Sequence, residues 1–142
     1  MKTPRIERRT FLKVGAGALA ALLTGAPRAL QAMRTVAGGD HPVPRPGITG
    51  ARVLTADALR DRPDLVPLFD AVRRAPAIVD GIRCNCGCAS VEGYYSLLSC
   101  YEGDGMAQGC LVCEGQGRLV TRLHRSGRSL AEIRAAVDAQ FG

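Results

Sequence analysis

The chain has 142 residues, of which 46% are apolar, with 19 Lys and Arg, 13 Asp and Glu, six Cys and no Trp. This length predicts one small domain, and the apolar content excludes a wholly disordered chain. The formal charge of +6 is concentrated before Met33 and falls to +1 from there onward, so we expect no nucleic-acid partner.

The basic residues near the start of the chain form a recognisable pattern. Arg8 and Arg9 begin the run Arg-Arg-x-Phe-Leu-Lys, and an uncharged stretch over 14–27 follows. The pattern resembles a twin-arginine translocation signal, and the uncharged stretch is shorter than the roughly 20 residues of a membrane-spanning helix. The resemblance implies a signal peptide over 1–32 and the twin-arginine translocase as a partner. It also implies export to the periplasm or cell envelope, with no stable membrane span after cleavage.

The next segment is rich in turn-forming residues. Between Val36 and Gly50 it holds three prolines and four glycines, which prevent a continuous helix or strand. We therefore predict a flexible tether over 33–51 and a cysteine-rich helical domain over 52–142. In a chain with only three Phe and three Tyr, such a domain has a thin core, and domains of this kind often add a metal or disulfides.

Two helices are predicted in the first half of the domain. The first has Asp64 as its cap and Pro76 as its stop, and its apolar face follows helical periodicity. That face consists of Leu65, Leu68, Phe69 and Val72. The second helix repeats the same spacing and places Cys100 in its last turn. Its face consists of Tyr94, Leu97, Leu98 and Tyr101.

Two more helices are predicted toward the end of the chain. A short one begins after Gly117, because glycines are costly inside a helix, and ends at Gly127. Ser129 and Glu132 form a capping box for the last helix, which continues to Phe141. No segment shows sustained strand alternation, so we predict a mainly α fold, a small helical domain organised around a cysteine cluster.

Six cysteines lie within thirty residues of this domain. They are Cys84, Cys86, Cys88, Cys100, Cys110 and Cys113. Disulfide geometry would require the crowded first three to reach three separate partners. Closely spaced thiolates can instead converge on one ion or bridge several, so we predict all six as metal ligands.

The order of these cysteines resembles that of a known family. The crowded triplet, a helix ending in Cys, a Cys-x-x-Cys pair and a capped final helix are similar to the envelope proteins named for a Pro-Cys-Tyr-Cys-Gly-Cys motif. The likeness covers roughly 64–141, although Arg83 and Asn85 replace the Pro and Tyr of the motif. Tyr94 and Met106 stand where members tend to have His, so imidazole ligation is not implied. Membership implies a cysteine-rich envelope domain and no particular reaction.

The choice of metal follows from the number and softness of the donors. Six thiolates exceed the four of a closed zinc site, which favours Cu(I) over zinc, and Met106 could add a thioether. The run from Cys110 to Gly117 is also similar to one unit of the zinc module in DnaJ-type chaperones, where each unit supplies half of a site. The two histidines, His41 and His124, are expected to be bystanders.

Two other uses of the cysteines stay open at this point. Three disulfides could stabilise an envelope interaction module, with fifteen possible pairings. The pair Cys110-x-x-Cys113 could support thiol redox chemistry, because such thiols can have a lowered pKa. We expect no enzyme, since there is no nucleophile elbow and the acids, including Asp80, are predicted to be solvated. The favoured function is storage, transfer or tolerance of copper or zinc.

Overall fold

The computed structural model describes residues 40–142, so the predicted signal peptide and the first part of the predicted tether lie outside the described residues. In the described part the α-helices are α1 Val66–Arg74, α2 Pro76–Asp80, α3 Leu111–Arg125 and α4 Leu130–Phe141. Short 3₁₀ helices cover Pro63–Leu65, Cys88–Ser90, Leu97–Tyr101 and Met106–Gln108. Residues 40–142 form no β-strand beyond an isolated bridge between Val53 and Glu102, which confirms the mainly α fold. No helix within this range is long and apolar enough to cross a bilayer.

Helix α1 corresponds to the first predicted helix, but it begins and ends at different residues from those predicted. Asp64 does not cap it, because Asp64 lies in the preceding 3₁₀ turn and pairs with Arg62 at 3.0 Å. Helix α1 ends at Arg74, and Pro76 then begins α2 instead of only stopping α1. Proline is tolerated at the first helical position, because the N–H that it lacks has no helical acceptor there.

The second predicted helix is shorter and tighter than expected. It is the 3₁₀ helix Leu97–Tyr101, and Tyr94 lies outside it. Ser96 sets this start, because its backbone is extended and its hydroxyl accepts a hydrogen bond from the N–H of Leu98 at 3.2 Å. Cys100 does lie in the last turn, as predicted.

Helix α3 begins at Leu111, so the prediction that it starts after Gly117 was wrong. Gly117 lies inside the helix because Tyr101 packs against it, and a Cβ at this position would overlap the tyrosine hydroxyl. Close packing therefore offsets the cost of about 1 kcal/mol that glycine carries in a helix. Gly127, with φ of 79°, follows the helix end as predicted.

Helix α4 confirms the predicted capping box. The hydroxyl of Ser129 accepts a hydrogen bond from the N–H of Glu132 at 3.3 Å, and the carboxylate of Glu132 accepts one from the N–H of Ser129 at 2.8 Å. The helix buries Ile133 and Val137 against the rest of the core. This end of the chain could be predicted because its signals are local.

The core lies between α1, α3, α4 and the 3₁₀ helix Leu97–Tyr101. The rings of Phe69 and Tyr101 meet edge to face, with centroids 4.8 Å apart and an interplanar angle of 65°. The other large buried side chains include Leu65, Val72, Val79, Ile82, Leu97, Leu98, Val120, Ile133 and Val137. Four cysteines belong to the same buried cluster, so the sulfur atoms form part of the core.

The described part of the predicted tether, 40–51, forms no helix or strand but is held to the helices. The carbonyl of Pro42 accepts a hydrogen bond from Arg134 at 2.8 Å, and the carbonyl of Val43 accepts one from the hydroxyl of Tyr95 at 2.6 Å. Packing contacts therefore begin before Arg52, the residue at which the helical domain was predicted to start.

Asp80 at the end of α2 is fully buried, so the prediction that it is solvated was wrong. Its carboxylate accepts hydrogen bonds from the backbone N–H of Arg45 at 2.8 Å, from the guanidinium of Arg45 at 2.7 Å and from the hydroxyl of Ser96 at 2.7 Å. Burial opposes ionisation, but these bonds outweigh it and keep the pKa of Asp80 below its usual value. This contact joins the 40–51 segment to the residue that caps the Leu97–Tyr101 helix.

Candidate metal centre

Three segments of the chain bring the six cysteines together. The loop after α2 supplies the triplet, the 3₁₀ helix Leu97–Tyr101 supplies Cys100, and the start of α3 supplies Cys110 and Cys113. All six are free thiols. The fold thus forms the cysteine cluster that the sequence predicts.

Four of the thiols form a buried set, which we call the inner set. It consists of Cys84, Cys88, Cys100 and Cys113, whose Sγ atoms all lie within 4.8 Å of one another. Each of these residues is at most 2% exposed. Four sulfurs on a tetrahedral ion with bonds of about 2.3 Å are about 3.8 Å apart, so the inner set has the size of a tetrahedral thiolate site.

A second group, the outer set, shares one residue with the first. It consists of Cys86, Cys110 and Cys113, whose Sγ atoms also lie within 4.8 Å of one another. Cys86 and Cys110 are partly exposed, whereas Cys113 is buried. The Sγ of Cys113 lies 3.5 Å from that of Cys86 and 3.5 Å from that of Cys84, so it stands between the two sets.

A methionine adds a further sulfur at the edge of the cluster. The Sδ of Met106 lies 2.9 Å from the Sγ of Cys88, and the side chain is 44% exposed. The metal-binding groups found within 40–142 contain neither His41 nor His124. His124 is exposed on α3, whereas the Nδ1 of His41 accepts a hydrogen bond from the backbone N–H of Arg83 at 2.9 Å.

The close packing of the thiols separates their pKa values. The neighbouring Cys100 and Cys113 thiols lower the pKa of Cys84, because they stabilise its thiolate. The Cys100 and Cys84 sulfurs in turn raise the pKa of Cys113, and burial raises the pKa of Cys86 to about 12. The coupling among the thiols therefore favours a thiolate at Cys84 and opposes one at Cys86 and Cys113.

The start of α3 affects the pKa of Cys110 in the outer set. Burial opposes ionisation of Cys110, but hydrogen bonds from the N–H and thiol of Cys113 and from the N–H of Val112 outweigh it and lower the pKa of Cys110. Backbone N–H groups at a helix start favour a negative charge, so this position stabilises a thiolate.

Two side chains position the cysteine segments in a way that the sequence did not indicate. Gln116 is fully buried, donates a hydrogen bond to the carbonyl of Arg83 at 3.2 Å and accepts one from the N–H of Asn85 at 3.1 Å. It therefore holds the backbone on both sides of Cys84. The hydroxyl of Tyr101 donates to the carbonyl of Cys113 at 2.6 Å. The sequence could have indicated this role of Gln116, because it follows Cys113 by three residues and such residues share a helix face.

Comparisons with known proteins identify no related family. No family model matches the chain, and neither a curated protein nor a solved structure matches it. The resemblance to the Pro-Cys-Tyr-Cys-Gly-Cys family and to a twin-arginine signal stays a prediction.

Proposed function

We propose that this is an exported protein that binds soft metal ions through its clustered cysteine thiolates, with Cu(I) preferred over zinc, for storage, transfer or tolerance. The observation that carries the proposal is the inner set, four buried sulfurs within 4.8 Å of one another. Four thiolates at this separation repel one another unless a cation lies among them. A metal ion supplies that charge and displaces the protons.

The arrangement of the sulfurs supports metal binding over disulfides. The Sγ of Cys86 lies 3.2 Å from that of Cys84, 2.7 Å from that of Cys88 and 3.5 Å from that of Cys113. A disulfide joins each sulfur to one partner, with Cα atoms at a restricted separation. Convergence of one sulfur on three others is typical of a metal-thiolate centre.

The chemistry of the donors supports a soft ion. Both sets consist of cysteines alone. Thiolates and thioethers favour Cu(I), and zinc is the other common ion of all-cysteine sites. The thioether of Met106, in contact with Cys88, favours Cu(I) further because zinc sites rarely use Met.

The metal content of protein purified without oxygen tests the proposal. We expect copper or zinc in a fixed ratio to protein and few reactive thiols until a chelator is added. The variant Cys100→Ser should lower the ratio, whereas Ala89→Ser, at an exposed position beside Cys88, should leave it unchanged. Folded, metal-free protein with its six thiols paired in three disulfides would support the interaction module instead.

Export has a separate test. Replacing Arg8 and Arg9 by Lys should retain the protein in the cytoplasm, because the twin-arginine pair is the part of the pattern that the translocase reads. The control variant Arg5→Lys keeps the same charge outside the pair and should be exported normally. Export of the double variant at the normal level would contradict this part of the proposal.

A further inference from the structure

We propose that the cluster holds two metal ions, a retained ion in the inner set and an exchangeable ion in the outer set, with the thiolate of Cys113 bridging them. This inference rests on the proposed metal-binding function and specifies how that site is divided. It assigns Cys86 and Cys110 to the ion that the protein takes up and gives away.

One ion cannot use all six thiols. A closed thiolate site for zinc or a similar ion has four ligands, and the inner set supplies four. Cys86 and Cys110 would then be left partly exposed and unligated beside that site. They meet again with Cys113 in a second group of the right size, so a second ion gives every thiol a role.

Cys113 is placed to serve both ions. It is the residue common to both groups, and its Sγ lies 3.5 Å from that of Cys84 and 3.5 Å from that of Cys86. The Sγ of Cys86 also lies 3.2 Å from that of Cys84 and 2.7 Å from that of Cys88, but Cys86 is partly exposed, whereas Cys113 is buried between the two groups. A thiolate sulfur has several lone pairs and can bind two cations. The backbone of Cys113 is fixed by the hydrogen bond from Tyr101 to its carbonyl at 2.6 Å, which Gly117 permits by leaving room for the tyrosine.

The two sets differ in access to solvent and in ligand number. The inner set is buried and has four thiolates, which fill a tetrahedral ion. Cys86 and Cys110 are partly exposed, and three thiolates leave one position of a four-coordinate ion such as Zn²⁺ open to an incoming ligand. The outer ion should therefore exchange first. Each thiol that binds an ion releases its proton to solvent, so loading both ions releases more protons than loading one.

The test uses ¹¹³Cd²⁺ as a probe of thiolate sites under anaerobic conditions. We expect two Cd²⁺ per chain and two ¹¹³Cd resonances that are coupled through the shared sulfur. A competing chelator should remove the outer Cd²⁺ at least about tenfold faster than the inner one. The variants Cys86→Ser and Cys110→Ser lie at partly exposed positions, and each should keep one slowly exchanging Cd²⁺.

The control and the contrary outcomes separate this inference from the proposed function. Ala89→Ser should behave like the unmodified protein, since it removes no thiol. One Cd²⁺ per chain, with Cys86 and Cys110 reactive toward iodoacetamide, would overturn the two-ion arrangement but leave metal binding intact. Two uncoupled resonances would remove the bridging role of Cys113. Failure to bind Cd²⁺ or Cu(I) at all would overturn the proposed function as well.

Discussion

Gln116 shows how a single residue outside the cysteines can control their geometry. Its amide joins helix α3 to the backbone on either side of Cys84, through hydrogen bonds of 3.2 Å and 3.1 Å. The side chain is fully buried, so water cannot replace either bond without rearrangement. Such outer contacts orient metal ligands, and their loss commonly weakens binding.

The variant Gln116→Leu tests this role. We expect an affinity for Cu(I) or Cd²⁺ lower by about tenfold or more, because the loop that carries Cys84 loses its two anchors. We also expect a loss of about 2 kcal/mol in the free energy of unfolding, from two partly buried backbone groups left without their partners. Chelator competition and denaturant unfolding measure the two effects. Gln140→Leu, on the exposed side of α4, is the control, and equal affinities in both variants would contradict the role.

The hydrogen bonds of Asp80 with Arg45 and Ser96 should make the stability of the fold depend on pH. Its pKa is lowered because Arg45 and Ser96 hydrogen-bond the carboxylate more strongly than burial opposes its charge. A group with a lowered folded pKa stabilises the protein above its unfolded value of about 3.9 and ceases to do so as pH falls through the folded value. The stabilisation is therefore fully present at neutral pH.

The variant Asp80→Asn should lose about 2 kcal/mol of unfolding free energy at pH 7. The guanidinium of Arg45 is partly exposed and can turn to water, so the cost is smaller than for a fully buried pair. Between pH 4 and pH 2 the difference from the unmodified protein should shrink, because Asp80 itself becomes protonated. Denaturant unfolding across this pH range measures it. Asp57→Asn, at an exposed position, is the control, and a difference independent of pH would contradict the assignment.

At the scale of elements, local signals predicted some helices and tertiary packing decided others. The capping box of α4 and the apolar face of α1 needed only neighbouring residues, and both were confirmed. The predicted start of α3 was wrong because the cost of Gly117 inside a helix depends on which side chain packs against it. That side chain, Tyr101, is distant along the chain. Propensity is a weak guide where packing overrides it.

The same distinction applies to the candidate site. The spacing of the cysteines predicted that they would lie close together, and they do. Spacing could not divide them into the two sets. Cys86 stands between Cys84 and Cys88 in sequence and its Sγ contacts both of them, yet it is partly exposed and also lies within 4.8 Å of Cys110 and Cys113 at the start of α3. Gly87, with φ of 95°, turns the chain between Cys86 and Cys88, a conformation that glycine adopts more readily than other residues.

The two glycines of α3 form a matched pair of variants. Gly117→Ala should lower the free energy of unfolding by about 2 kcal/mol or more, because its Cβ would overlap the hydroxyl of Tyr101. Gly115→Ala should be neutral or slightly stabilising. Its Cβ would lie 3.2 Å from the ring of Phe141, which is only partly buried, so a small shift of the ring can accommodate it. Thermal unfolding measures both, and equal effects would contradict the packing argument.

For the molecule as a whole, the cluster and the core cannot be treated separately. Cys84, Cys88, Cys100 and Cys113 pack among the buried apolar side chains, so the geometry of the inner set exists only in the folded chain. An ion that binds this set binds the native state in preference to the unfolded one. Metal binding and folding are therefore linked, as in other small domains with structural metal sites.

This linkage predicts the stability of the loaded protein. A free Cu(I) concentration held at 100 times the dissociation constant of a site should raise the free energy of unfolding by about 2.7 kcal/mol for each ion bound, and the increase should grow with the logarithm of the free ion concentration. Thermal unfolding without oxygen, in a series of Cu(I) buffers, measures it. The double variant Cys84→Ser, Cys113→Ser removes ligands of the inner set and should show little dependence on Cu(I). Equal midpoints for the unmodified protein across a thousandfold range of free Cu(I) would mean that the native state does not hold the ion.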